Sequence, residues 1–192
     1  LGVVALGTVA DVVPLDRSNR ILVAAGLARS RSGRARPGIE ALFEVAGRDH
    51  RVAPASDLGF IVGPRINAAG RLDDMSIGIE CLLAESCVAA RERAQTLHQL
   101  NRERRDIEQS MQQDAIVQLE TLDLSADALP FAMTLYDPTW HQGVIGILAS
   151  RIRERTHRPT VVFAQAGDGW LKGSGRSIPG IHLRDMLDQV AT

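Results

Sequence analysis

CVAARERAQTLHQLNRERRDIEQSMQQDAIVQLETL, residues 87–122, holds neither glycine nor proline and decides how the rest of the chain is divided. Ala94, Leu97, Leu100, Ile107, Met111, Ala115, Leu119 and Leu122 recur at threes, fours and sevens, the spacing of one face of an α-helix. The spacing predicts a single amphipathic helix of roughly 52 Å, at about 1.5 Å per residue, longer than a small domain is wide. Such a helix is expected to bridge two lobes. Arg102–Asp106 and Arg104–Glu108 are opposite charges four apart that would support its exposed middle, where the apolar seam breaks at Arg104. A dimeric coiled-coil arm is the competing reading, and the small number of clean heptads stands against it.

Upstream, LGVVALG (residues 1–7) runs into GTVADVVPL (residues 7–15). A Val, Ala and Leu run that ends in small residues reads as a buried strand of a parallel sheet, beyond whose carboxyl end ligands bind. Asp11 falls there. An Asp before an apolar pair and Pro14 is equally ordinary turn chemistry, and the residues alone leave both readings open. Helical spacing over Asn19–Ala28 is followed by a Ser/Gly/Arg loop, and between Arg17 and Arg36 there are six arginines and no acid. A planar guanidinium suits phosphate, though such a run also serves as plain solvated surface. Pro37 opens a short helix carrying Ile39, Leu42, Phe43 and Val45, which stops near Gly47. Ser56 and Asp57 are placed to cap the apolar stretch Leu58–Val62. Gly63 and Pro64 are then expected to break that helix and to start another over Ile66–Leu72, with unpaired N–H groups at its entry. Arg65, Asn67 and Arg71 add donors on or beside one face and would make a wall for a phosphate. The alternative pairs Arg65 and Arg71 with Asp73 or Asp74 in a surface turn.

Downstream, the polar stretch LDLSADALP (residues 122–130) gives way to short elements. Strands are predicted over Phe131–Tyr136, Thr160–Phe163 and Gly169–Gly173, with helices over Val144–Arg155 and Leu183–Val190. Strand, helix, strand implies a second α/β domain. In WHQGVIG (residues 140–146), Gly143 and Gly146 let backbone approach a ligand at a strand-to-helix junction. His141 and Gln142 supply donors there, and Trp140 is placed to stack on a base or to plug the core. In KGSGRS (residues 172–177), Ser174 and Arg176 lie two apart, on one side of an extended chain, as a cup for a terminal phosphate. An ordinary turn at His141 and a flexible glycine loop are the alternatives.

The chain has 192 residues, 45% of them hydrophobic, with a net charge of −1, a composition that fits one large or two small globular domains. No stretch approaches the roughly 20 apolar residues of a membrane span, and no signal-peptide pattern opens the chain. The absent initiator Met suggests a chain cut from a longer one. Cys81 and Cys87 lack a CxxC spacing and read as reduced, structural thiols of a cytoplasmic protein. Histidines 50, 98, 141, 157 and 182 show no HExxH or HxH spacing, so no complete metal site is encoded.

GTVADVVPL, GPRINAAGRLDDM, LNRERRDIEQ, WHQGVIGILASRI and KGSGRSIPGIHLRD, taken in order and spacing, resemble the RecJ-type single-strand exonucleases of the DHH phosphoesterase family over essentially the whole chain. The resemblance implies an α/β fold in three parts. These are the C-terminal part of a parallel-sheet DHH catalytic domain (residues 1–84), a long connecting helix (85–122) and the N-terminal part of a DHH-associated domain (123–192). It implies an Mn2+- or Mg2+-dependent enzyme that degrades single-stranded DNA from its 5′ end in recombination and repair. Two metal ions can activate a water and steady the leaving oxygen of an in-line attack on phosphorus. Asp11 matches the last metal-binding aspartate; the earlier ones and the Asp-His-His motif have no counterpart in this chain and would precede Leu1. By the same resemblance Arg65, Asn67 and Arg71 line the DNA path, Ser174 and Arg176 hold the 5′-phosphate, and the long helix spaces the two. Single-stranded DNA is the implied partner, with a single-strand-binding protein as candidate recruiter. The competing functions are a non-catalytic nucleic-acid-binding module, and a DHH enzyme acting on short oligonucleotides or small phosphoanhydrides.

Overall fold

The computed structural model describes residues 1–120 and 130–190. The polar break expected over 122–130 falls, but for Pro130, outside the described residues. The first correction concerns residues 1–10. The stretch read as a strand is helix α1 (Gly2–Ala10), and residues 1–104 hold helices and no strand. Its burial follows a helical period: Ala5 and Leu6 are buried, Gly2, Val9 and Ala10 partly so, while Val3, Val4 and Gly7 face out. Small residues let a neighbour come close. Helix α2 (Arg17–Arg29), capped by Asp16 through a 2.8 Å bond from the Asn19 N–H, crosses α1 at Gly26. A Cβ at Gly26 would lie 2.4 Å from the Ala5 Cβ.

A kinked turn (Ser30–Arg34), with Gly33 in the left-handed region at φ 70°, leads to α3 (Pro37–Val45), which buries Ile39, Leu42 and Phe43 as its spacing predicts. Ser56 and Asp57 do not cap the next stretch; they lie inside a one-turn helix α4 (Ala55–Asp57) that continues as a π-helical turn (Leu58–Val62) into α5 (Gly63–Leu72). The expected break at Gly63-Pro64 is therefore absent. Gly63 is right-handed helical and its N–H bonds to the Leu58 carbonyl, so α5 offers no free donor there. The physical reason lies in Pro64, which has no N–H for the carbonyl four residues back; widening the preceding turn accommodates it without a kink. Helix α6 (Ser76–Leu83) packs on α3 so closely that a Cβ at Gly38 would lie 1.9 Å from the Cys81 carbonyl oxygen. The core of this unit joins Ile39, Leu42, Phe43, Val62 and Cys81 to Ala90, Ala94 and Leu97.

Those last three belong to α7 (Cys87–Glu120), the 34-residue helix that the unbroken heptad-like spacing predicts. The chain divides into two compact units within α7, between Arg104 and Arg105. In the second unit Met111, Ala115 and Leu119 form the buried row of α7. Strand β1 (Met133–Asp137), helix α8 (Ile145–Thr156) and strand β2 (Thr160–Gln165) form a parallel β-α-β unit, to which β3 (Leu171–Arg176) adds an antiparallel edge, in the order β1-β2-β3. β3 starts two residues later than expected because Gly169, at φ 78°, still belongs to the turn. Ile145, Leu148, Ala149 and Ile152 of α8 and Met133, Leu135, Val162 and Ala164 of the sheet are buried. Helix α9 (Leu183–Val190) closes the described chain where its periodicity places it. No described helix is long and apolar enough to cross a membrane.

Candidate functional site

Asp11 is the C-cap of α1, not the end of a strand. The Val12 N–H bonds to the Val9 carbonyl at 3.2 Å and the Val13 N–H to the Thr8 carbonyl at 3.1 Å, the paired bonds of a Schellman motif. This cap holds the Asp11 side chain at the surface, on the rim of a cleft of about 160 Å³ that Gly7, Ala10, Gly63, Ile66 and Asn67 also line. Gly63 permits the arrangement, since a Cβ there would sit 3.1 Å from the Ala10 Cβ. Asp11 and Asn67, 56 positions apart in sequence, thus share one cleft.

Arg65 does not join them. It is 7% exposed, with Nε donating to His98 Nδ1 at 3.3 Å and Nη1 to the Ile61 carbonyl, so its guanidinium ties α5 to α7. Buried in this way, the guanidinium presents no open face to an incoming phosphate, and the expectation that Arg65 lines such a wall is corrected accordingly. Arg71 is exposed on the last turn of α5. The neighbouring Asp74 accepts from the Ser76 N–H at 2.8 Å, and bonds from Ser76 hold its carboxyl below the usual carboxylate range. Among the described residues no three His, Cys, Asp or Glu side chains form a group able to hold a metal ion. Hard divalent cations take six or more oxygens. One carboxylate and one amide oxygen on the cleft rim fit an edge of such a site and do not complete it.

The second unit brings two sequence motifs together. Arg176, half-buried on β3, donates from Nε to Ser150 Oγ at 3.0 Å and from Nη1 to Ser174 Oγ at 3.3 Å and the Gly175 carbonyl at 2.8 Å. Ser150 Oγ in turn donates to the Gly146 carbonyl at 3.2 Å. A Cβ at Gly146 would lie 3.0 Å from both Arg176 Nη2 and Ser174 Oγ, so glycine is what lets the first turn of α8 close on these side chains. The result is a guanidinium, the Ser174 hydroxyl and a helix N-terminus at one place, each of them suited to an anion, while Ser150, whose own proton goes to the Gly146 carbonyl, positions the guanidinium. Ser150 was not singled out from the sequence; its signal is the spacing of four from Gly146, which puts both on one face of α8.

The loop before α8 is built by Asp137, which accepts from the Thr139 N–H at 2.8 Å and from its hydroxyl at 2.6 Å; these bonds lower its carboxyl below the usual range. His141 Nδ1 accepts from the Gly143 N–H at 3.1 Å and thereby braces the turn, while Gln142 is exposed. Trp140 is 3% exposed and its indole Nε1 is buried without a hydrogen-bond partner. From that position its ring plugs the core and offers no face to a base, which closes the stacking reading.

Residues 129–192 match the DHHA1 domain. Over all 192 residues the chain is 60% identical to the single-stranded-DNA-specific exonuclease RecJ of Dickeya dadantii, and 59% identical to that of Escherichia coli, covering 33% of each relative. Against the RecJ of Thermus thermophilus it is 38% identical over 183 residues, 95% of this chain and 25% of that one. The crystal structure of Thermus thermophilus RecJ in complex with Mg2+ superposes with a TM-score of 0.81 at 36% identity, over 97% of this chain and 28% of that one. The chain spans about a third of the length of the two curated relatives from Dickeya dadantii and Escherichia coli. By sequence along its whole length and by the fold of both its units, the chain is similar to part of the RecJ exonucleases.

Proposed function

We propose that this chain is part of a metal-dependent exonuclease that hydrolyses single-stranded DNA from its 5′ end, acting in the cytoplasm in recombination and repair. The observation that carries the reading is the cluster of Arg176, Ser174 and Ser150 against Gly146, a site for a terminal phosphate built from two motifs 26 or more residues apart. On this reading residues 1–84 belong to the catalytic domain, 85–122 to the connecting helix and 123–192 to the DHH-associated domain. Asp11 brings one carboxylate to a centre that takes Mg2+ or Mn2+, the ions in the RecJ complexes of known structure that this chain resembles. Such ions supply an activated water and neutralise charge on the leaving oxygen. Asn67 and Arg71 face the DNA path. Arg65 positions α5 through His98 and keeps that wall in register. His141 fixes the loop that presents the first turn of α8, with Gln142 as an outlying donor. Recruitment by a single-strand-binding protein is carried over from the family resemblance alone.

The test uses the full-length protein that contains this chain, with Mn2+ and matched oligonucleotides bearing 5′-phosphate or 5′-hydroxyl. Arg176→Ala is expected to lower kcat/KM on phosphate ends by at least about tenfold, the loss of one charge-assisted hydrogen-bond pair, and to leave hydroxyl ends nearly unchanged. Equal kinetics of variant and parent on both ends would overturn the phosphate role.

A further inference from the structure

β3 is extended, so alternate side chains share a face, and Trp170 precedes it with extended backbone at φ −83° and ψ 151°. Trp170, Lys172, Ser174 and Arg176 therefore form one row. The residues paired with the last three on β2, Ala164, Val162 and Thr160, are buried. Arg176 reaches Ser150 and Ser174 abuts Gly146, so the row lies on the sheet face that α8 covers.

That cover ends partway along the row. Arg176 spans α8 from Ser150 back to Gly146, Ser174 lies against Gly146, and α8 begins at Ile145. Lys172 and Trp170 lie one and two steps further in the same direction, past the end of the helix, and both are exposed; Trp170 keeps 75% of its surface. The indole is nevertheless held on a defined turn. The Ala166 N–H bonds to the Trp170 carbonyl at 2.8 Å and the Trp170 N–H to the Gly167 carbonyl at 3.3 Å, with Gly169 in the left-handed region at φ 78°. A large ring presented on a fixed turn, beside the one lysine of the chain, leads directly into the anion cluster.

We propose that Trp170 and Lys172 form the subsite for the 5′-terminal nucleoside, Trp170 stacking on its base and Lys172 bringing its ammonium to the terminal phosphate from the side opposite Arg176. The inference rests on the reading of Ser174 and Arg176 as the phosphate site. A terminal phosphate carries close to two negative charges near neutral pH, more than one guanidinium balances. Alternate residues of a strand stand roughly 7 Å apart, a gap the four-carbon lysine stem spans. Stacking on an aromatic face accepts every base, which suits an enzyme that meets a new terminal base after each cleavage.

The experiment again uses the full-length protein, with 5′-phosphorylated oligonucleotides whose terminal nucleotide is either ordinary or abasic. For the parent enzyme, removing the terminal base is expected to raise KM about tenfold, the order of one base–aromatic stack. Trp170→Ala should show that loss on the ordinary end and no further loss on the abasic end, and Trp170→Phe should restore discrimination. Lys172→Gln should reduce the preference for phosphate over hydroxyl ends and leave the dependence on the terminal base intact. If the losses from Trp170→Ala and from the abasic end multiply, the indole serves something else, such as a protein contact, and the inference falls. If Arg176→Ala abolishes phosphate preference while Trp170→Ala is blind to the terminal base, only this subsite is lost. If Arg176→Ala has no effect, the phosphate site fails and the subsite with it.

Discussion

Val12 adopts φ 54°, the left-handed region, at the C′ position of a Schellman motif where glycine is the usual occupant. A β-branched residue there stores strain of about 1–2 kcal/mol beside Asp11. Its side chain is 86% exposed, so it recovers nothing by packing. Val12→Gly should therefore raise stability by about 0.5–1 kcal/mol after the larger entropy loss of glycine on folding, read as a higher Tm in calorimetry. An unchanged or lower Tm would show that the turn is not strained. The two thiols differ for an equally local reason. Burial between Gly38 and Ala90 pushes the Cys81 thiol up to about 11, against the opposing charge of Arg93. A raised thiol pKa leaves little thiolate at any pH below it, and the group is closed to reagents as well. Alkylation at pH 8 should label the exposed Cys87 and spare Cys81, and raising the pH to 9.5 should not change that; peptide mass spectrometry reads both.

At the scale of elements, small residues decide how helices meet. Gly26 against Ala5, Gly38 against Cys81 and Gly63 against Ala10 each mark a crossing where a Cβ would meet atoms at 3.1 Å or less. Gly38 is the strictest, because the opposing atom is a backbone oxygen that cannot rotate away. Gly38→Ala should cost about 3 kcal/mol or more by prising α6 from α3, a loss visible in denaturant unfolding. Burial of Ala5 and Leu6 with Val9 and Ala10 was legible in principle as a helical stripe on α1. The valines of LGVVALG pointed the other way, since β-branched residues favour strands while a crossing against Gly26 favours a helix of small residues. The long α7 and the β-α-β unit that follows were readable because nothing competes with a 34-residue stretch free of glycine and proline, or with short alternating runs.

At the scale of the whole molecule, Asp11 and the cluster around Arg176 belong to different compact units, joined through one continuous helix. Asp11→Ala in the full-length protein is expected to abolish Mn2+-dependent digestion, while single-stranded DNA binding, read by fluorescence anisotropy, stays within about threefold of the parent. Full activity would refute a metal-bound Asp11. Periodicity by itself determined the helical and strand character of α7, α8, β1, β2 and α9, and ordered motifs determined the resemblance to the RecJ exonucleases, because both are properties of neighbours along the chain. Local pattern could not decide that Arg65 would turn inward to His98, that Trp140 would be a plug, or that Ser150 would complete the hold on Arg176. Those outcomes depend on which helix lies across the chain, a relation between residues 26 to 33 positions apart in the two hydrogen-bonded cases. Tertiary packing settles them, because a guanidinium or an indole goes wherever its buried polar atoms and apolar surface are best satisfied.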